Sequence, residues 1–221
     1  ARADADRHQG DFRKIIDGIN HALDSIVVPM QETIMQITKF SRGDLGSSLT
    51  SEYKGDFAEL KKRLNNLSLT IKGVIDSCDY VRNEHDKGEI DIMIASERFR
   101  GDFSKMATNI NTVLSSHIEL NKKTMACVSE FGKGNFKAPL ERFAGKKAFI
   151  NDTIERVRSN LNALITDTTM LSQAALEGQI QVRANAEKHE GDFRKIIEGI
   201  NATLETIVTP IFTVKAAVDS I

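Results

Sequence analysis

The residues of this sequence that could do chemistry are its five histidines and its many carboxylates. A histidine beside a carboxylate can act as a general acid or base. Three histidines have an acidic residue close by: His85 next to Asp86, His117 near Glu119, and His189 next to Glu190. Adjacent residues on a helix point in different directions, so the first and last pairs are poor catalytic dyads. These pairs predict no catalytic residue.

The sequence gives equally little indication of nucleophilic, phosphate-binding, metal or redox chemistry. The sequence contains no nucleophile elbow, no phosphate-cradling glycine loop and no metal-ligand cluster. Its two cysteines, Cys78 and Cys127, are too few for a disulfide framework or a zinc site, and they suit a reducing compartment. Cys78 is better interpreted as a small buried apolar residue than as a redox sensor. We therefore predict no enzyme, no cofactor, no metal and no small-molecule ligand.

The composition favours helices and excludes several partners. The 221 residues include three prolines and no tryptophan, with 40% hydrophobic and 28% charged residues. Thirty basic and 31 acidic residues argue against nucleic-acid wrapping and against a polybasic membrane surface. No apolar run of about 18 residues is present, so we expect no membrane contact. The chain begins with Ala1 and has no signal peptide, so we expect an excised piece of a longer protein. Its expected location is cytoplasmic, with membership of a membrane-anchored receptor left open.

An internal repeat organises the whole chain. The motif Gly-Asp-Phe begins at residues 10, 55, 101 and 191, and a degenerate copy, Gly-Lys-Lys, begins at residue 145. A second marker is a glycine that ends a predicted helix, as expected of a residue that tolerates positive φ. Two apolar anchors usually follow it, two and six residues later: Gly43, Leu45 and Leu49; Gly88, Ile90 and Ile94; Gly134, Phe136 and Leu140; Gly178, Ile180 and Ala184. Each repeat therefore predicts a helix, a connector of about a dozen residues, and a second helix.

The second helix of each repeat begins at the Gly-Asp-Phe motif. An aspartate at a helix start accepts hydrogen bonds from free backbone amides and complements the helix dipole. From there, apolar residues recur in steps of three and four, and 22 of 25 such positions are apolar in the five copies. This pattern is a heptad seam. Only Pro29 and Pro210 interrupt the run into the next repeat, so we expect continuous helices of roughly 33 residues, about 50 Å long.

Three polar residues on the seam are candidate switch positions: Arg82, His85 and His117. The histidines are candidates for a pH-tuned switch, although a tolerated polar layer at a junction is the favoured interpretation. Arg82 could set the register of the bundle, although a side chain that reaches to the bundle edge is favoured.

These residues together resemble the HAMP domain of bacterial receptors and sensor kinases. That family has a first helix often opened by proline, a connector with two anchors, and a second helix opened by an acidic-apolar pair. The matching residues are Pro29, Gly43, Leu45, Leu49, Asp56, Phe57, Gly88, Ile90, Ile94, Asp102, Phe103, Gly134, Phe136, Leu140, Gly178, Ile180, Asp192, Phe193 and Pro210. The third repeat is least typical, with Lys146 and Lys147 for the acidic-apolar pair and Glu155 for a later asparagine.

The resemblance implies an all-α fold: an elongated homodimeric array of parallel four-helix coiled-coil bundles, stacked through continuous helices. A two-helix repeat with an extended connector cannot enclose its own seam, which independently favours a dimer. The expected boundaries are a partial second helix of a preceding unit at 1–26, four units at 27–72, 73–118, 119–163 and 164–208, and a partial first helix at 209–221. We name the four units the first to fourth repeats.

The resemblance also implies a function. Such an array would relay conformational signals from an upstream sensor to a downstream output domain of the same chain, and the Gly-Asp-Phe motif looks most like chemotaxis receptors. Two alternatives remain open: an array of a sensor histidine kinase, and a structural scaffold of helical repeats. The expected partners are a parallel second copy and the adjoining sensor and output domains.

Overall fold

The computed structural model describes residues 2–219, and the ends of the outermost predicted segments, residue 1 and residues 220–221, lie outside this range. Five long helices follow one another along the chain, each of 29 to 32 residues. They are α1 (Gly10–Ser41), α2 (Asp56–Asp86), α3 (Gly101–Gly132), α4 (Ala148–Leu176) and α5 (Gly191–Asp219). The all-α prediction is confirmed.

Two compact units divide the chain, Ala1–Ile118 and Glu119–Ile221. The first contains the first and second repeats, and the second contains the third and fourth. Neither proline ends its helix, because Pro29 lies inside α1 and Pro210 inside α5. In the range 2–219, no helix is long and apolar enough to cross a membrane.

The glycine after each first helix closes that helix in the predicted way. At the end of α2, Gly88 has φ of 96° and donates its amide to His85 O at 2.9 Å, and Glu89 donates to Glu84 O at 3.0 Å. This is a Schellman motif, which requires a residue in the left-handed region. Gly43, Gly134 and Gly178 also have positive φ.

The start of each second helix differs from the prediction in one respect. The N-cap of α2 is Gly55, not Asp56, and no side chain caps the helix by a hydrogen bond. Gly55 has φ of 57° and ψ of −138°, a conformation that side chains disfavour. Asp56 therefore contributes through its charge at the positive end of the helix dipole, and the preceding glycine is required by its backbone conformation.

Small apolar clusters form where a connector packs on the two helices that flank it. In the second repeat the buried residues are Val81, Ile94 and Ala107. In the third they are Cys127, Phe131 and Ile154, and in the fourth Leu171, Ala184 and Ile197. In these three repeats the connectors thus contribute to the core between the two helices.

Candidate functional site

The candidate functional site is the connector of each repeat with the helix faces that it contacts. The second anchors Leu49, Ile94 and Ala184 are buried. The first anchors are less deep: Leu45, Phe136 and Ile180 are half-buried and Ile90 is exposed. At the helix starts, Phe57, Phe103 and Phe193 are half-buried, while Asp56, Asp102 and Asp192 are exposed.

One asparagine on the second helix binds the backbone of the second anchor. In the second repeat, Asn111 Oδ1 accepts the Ile94 amide at 2.9 Å, and Asn111 Nδ2 donates to Ile94 O at 2.8 Å. Asn65 binds both backbone groups of Leu49 at 3.0 and 3.1 Å. Asn201 binds those of Ala184 at 3.1 and 2.8 Å. We call this arrangement the asparagine clamp; the sequence showed these asparagines but not their role.

The clamp satisfies backbone groups that would otherwise be buried without a partner. A connector residue belongs to neither a helix nor a strand, so secondary structure provides no hydrogen-bond partner for its buried backbone amide and carbonyl. The asparagine side chain has one donor group and one acceptor group, arranged as in a peptide, so it can pair with both the amide and the carbonyl of the anchor residue. The clamp therefore fixes the connector at one position along the second helix.

The second and fourth repeats have apolar cores around the clamp. Three equivalent positions, one on the first helix and two on the second, are apolar in both repeats. In the second repeat they are Val81, Ala107 and Leu114, and in the fourth they are Leu171, Ile197 and Leu204. Ala107 and Ile197 are 0% exposed. These connectors are held by apolar packing in addition to the clamp.

The first repeat has polar residues at the same three positions. Gln36 Nε2 donates to Ser47 O at 2.6 Å, and Ser68 Oγ donates to Leu45 O at 2.7 Å. Lys61 Nζ donates to the carbonyls of Thr50 and Ser51 at 3.1 and 2.8 Å. This connector is held largely by hydrogen bonds from side chains to its backbone. The third repeat is polar at two of these positions, with Asn151 and Arg158, and has the buried Cys127 at the other.

The three candidate switch positions lie outside the buried apolar clusters. Arg82 is exposed and pairs with Asp79 at 3.4 Å and Asp86 at 3.6 Å, while the preceding Val81 is buried. The core within the chain therefore uses a helix face one residue away from the predicted seam at this point. His85 is half-buried, with Nε2 2.8 Å from Ile92 O, and His117 is exposed.

A further contact joins the end of two connectors to the first helix. In the fourth repeat, His189 Nε2 lies 2.7 Å from Asp167 Oδ2, and their side chains are 2% and 18% exposed. His189 is next to Glu190 in the sequence, but its partner in the structure is Asp167, 22 residues away. The imidazole is too deeply buried for a substrate to reach, so this pair is a structural contact.

The equivalent contact in the first repeat joins Tyr53 and Glu32. The hydrogen bond from Tyr53, with a second from Ser51, lowers the pKa of the Glu32 carboxyl below its ordinary 4.5. Burial, and then the bond to Glu32, raises the pKa of Tyr53 above 10.0. Both shifts favour the state in which the phenol donates to the carboxylate.

No metal centre is formed by the described part of the chain, residues 2–219. No group of three or more His, Cys, Asp or Glu residues there could bind a metal ion. The geometry of the site is instead that of a mechanical linkage, in which a connector ties the end of one long helix to the start of the next.

Comparison with known families identifies this linkage. A family model described as HAMP domain matches residues 7–73 and 188–221. A second, described as HAMP N-terminal domain 3, matches residues 120–162. Both models describe HAMP domains, so the matched segments are HAMP domains, and the resemblance seen in the sequence is confirmed. Signal relay, the function expected of this family, is accordingly the function of the matched segments.

The chain is also similar to a curated protein, methyl-accepting chemotaxis protein McpB of Pseudomonas aeruginosa. The two are 33% identical over 99 residues, which are 44% of this chain. The match spans only 15% of the relative's length.

Proposed function

We propose that this chain is the relay segment of a chemotaxis receptor, and that it passes a conformational change from an upstream sensor to a downstream output domain. The family match supports the relay, and the chemotaxis relative favours a chemoreceptor over a histidine kinase. A non-enzymatic role and a cytoplasmic location are parts of this proposal. The two cysteines, neither of them in a disulfide, are compatible with a reducing compartment.

The working unit in this proposal is a parallel homodimer. The observation that supports it is a row of seam residues that the single chain leaves exposed. The row includes Ile15, Ile19, Ile26, Met30, Ile37, Leu60, Leu67, Ile75, Met106, Val113, Val128, Val157, Ile165, Ile196 and Ile207. Monomeric proteins rarely expose so extended an apolar surface. A second copy with the same row would cover it in the manner of a coiled coil.

Relay in such a dimer would depend on the connectors. A shift or rotation of a first helix changes the surface on which its connector packs. The asparagine clamp and the anchors would transfer that change to the second helix, and the second helix continues without interruption into the next repeat. If each repeat has two packings, coupling between neighbours would be on the order of 1–3 kcal/mol.

Cross-linking at the exposed seam tests the parallel dimer. In a chain with Cys78→Ser and Cys127→Ala, a Val113→Cys substitution places a thiol at a seam position that is 58% exposed. We expect a solution mass of twice 24.5 kDa by light scattering and efficient oxidation to a disulfide-linked dimer. A parallel dimer in register brings Cys at position 113 next to its own copy.

The matched control is Ser115→Cys, an exposed position about 200° further around α3. It should not cross-link. A monomer at high concentration, or equal cross-linking of the two variants, would contradict the parallel dimer and favour a scaffold of helical repeats. In the intact receptor, the Val113→Cys disulfide should weaken the response of the output domain to stimulus.

A further inference from the structure

The connector of the third repeat lacks the asparagine clamp. Ten residues after the helix-opening glycine, the other repeats have Asn65, Asn111 and Asn201, whereas the third has Glu155. An ionised carboxylate only accepts hydrogen bonds, so Glu155 cannot pair with both an amide and a carbonyl. Another group must hold this connector to α4.

Asn151, one helical turn earlier on α4, binds part of the connector backbone instead. Its Oδ1 accepts the Phe143 amide at 2.9 Å, and its Nδ2 donates to Glu141 O at 2.7 Å. These contacts lie at the end of the connector, after its second anchor Leu140. The first half of the connector is left for a different residue.

Arg158 contacts that first half. Its guanidinium donates to the carbonyls of Phe136 and Ala138, the latter at 2.8 Å. It also lies over the ring of Phe131 on α3, 5.1 Å from the ring centre. Glu155 accepts from Arg158 Nε at 3.0 Å. The Arg158 side chain is 16% exposed, so one side chain joins the connector to both helices from inside the repeat.

The equivalent positions show how unusual this residue is. They are Ser68 in the first repeat, Leu114 in the second and Leu204 in the fourth. Ser68 binds one connector carbonyl, and the two leucines pack on apolar neighbours. A guanidinium has several donors in a rigid planar fork, so it can bind two carbonyls and keep a third donor for Glu155.

We propose that Arg158, oriented by Glu155, is the positioning residue that holds the connector of the third repeat in place of the asparagine clamp. How this repeat passes on a conformational change then depends on the Arg158 contacts, a consequence that rests on the proposed function. The Glu155 and Arg158 pair is a local replacement for one asparagine, and the third repeat keeps the family's architecture with different chemistry.

Hydrogen exchange of connector amides tests the proposal in the 221-residue chain. Arg158→Met keeps the apolar stem over Phe131 and removes the donors. We expect the amides of Ala138 and Leu140 to exchange about tenfold faster, while those of α5 are unchanged. Arg158→Lys keeps the charge and the apolar stem but lacks the planar fork of donors. Its connector amides should therefore exchange as fast as those of the Met variant. Circular dichroism checks that each variant is folded.

A rescue variant separates this role from general packing. Glu155→Asn combined with Arg158→Met restores the residue found in the other repeats, and exchange at the Leu140 amide should return towards the original rate. Wild-type exchange in the Met or Lys variant would overturn the proposal, and so would failure of the rescue. Because exchange is measured without an output domain, such a failure leaves the chemoreceptor proposal untouched.

Discussion

The third and fourth repeats hold their connectors by opposite means. In the fourth, Ile197 is fully buried against Leu171 and Ala184, and Asn201 supplies the clamp. In the third, Asn151 and Arg158 replace apolar residues at two of the three equivalent positions. Both arrangements place a connector between two helices. A connector between two helices is therefore compatible with an apolar core and with a core of side chains bonded to the connector backbone.

The difference indicates which substitutions should destabilise each repeat most. Apolar packing is non-directional and tolerates small shifts of the connector, whereas hydrogen bonds to carbonyls require a defined distance and angle. Connectors held as in the first and third repeats should thus respond to loss of single polar groups. Those of the second and fourth repeats should respond to loss of volume or to burial of a polar group.

The largest effect is expected for Ile197→Asn in the fourth repeat. The substitution leaves a cavity and buries an amide without a partner, so it should lower the free energy of unfolding by about 4 kcal/mol. The reciprocal change, Asn151→Ile, should cost about 2 kcal/mol, because it leaves the Phe143 amide and Glu141 carbonyl unpaired. Urea denaturation measures both. A larger loss for Asn151→Ile would show that the two repeats do not differ as described.

An intermediate effect is expected for Asn111→Ala in the second repeat. Ile94 is 3% exposed, so its amide and carbonyl lose their only described partner inside the core. The expected loss is about 2 kcal/mol. The matched control is Asn109→Ala, an exposed asparagine two residues earlier on α3, which should change the free energy of unfolding by less than about 0.5 kcal/mol. Equal losses in thermal or urea denaturation would contradict the clamp.

The smallest effect is expected for Tyr53→Phe in the first repeat, and it depends on pH. The lowered pKa of Glu32 means that the contact with Tyr53 stabilises the fold above pH 4.5 and is lost as the pH falls through the lower folded value. The raised pKa of Tyr53 means that the same contribution is present below pH 10.0 and is lost at more alkaline pH. Thermal denaturation from about pH 3 to about pH 9 should show a lower Tm for the variant near neutrality and a shrinking difference in acid.

The other tyrosine gives the control for this profile. Tyr80 is exposed on α2, so Tyr80→Phe should leave the profile unchanged. Phe99 and Phe143 stand at the position equivalent to Tyr53 in the second and third repeats, so the phenylalanine is expected to fit. A constant difference between Tyr53→Phe and the wild type down to pH 3 would exclude Glu32 as the titrating partner.

Much of the fold could be predicted because its signals are local. Gly88 and its counterparts end helices through their own backbone conformation, and the heptad seam repeats within each helix. The capping role of Asp56 was mispredicted, because a helix start can be made by a glycine of unusual conformation. The contact of His189 with Asp167 could not be predicted, since it joins residues 22 positions apart through the connector path.

The sequence by itself determined the repeat, the long helices and the family, because each depends on residue type at short, regular spacing. Only the tertiary structure decided what each core position does. It showed that the asparagines bind the connector backbone, that Val81 rather than Arg82 enters the core, and that Arg158 replaces a clamp. The physical reason is that a connector's path through the core selects its partners, and that path is set by packing between segments far apart in sequence.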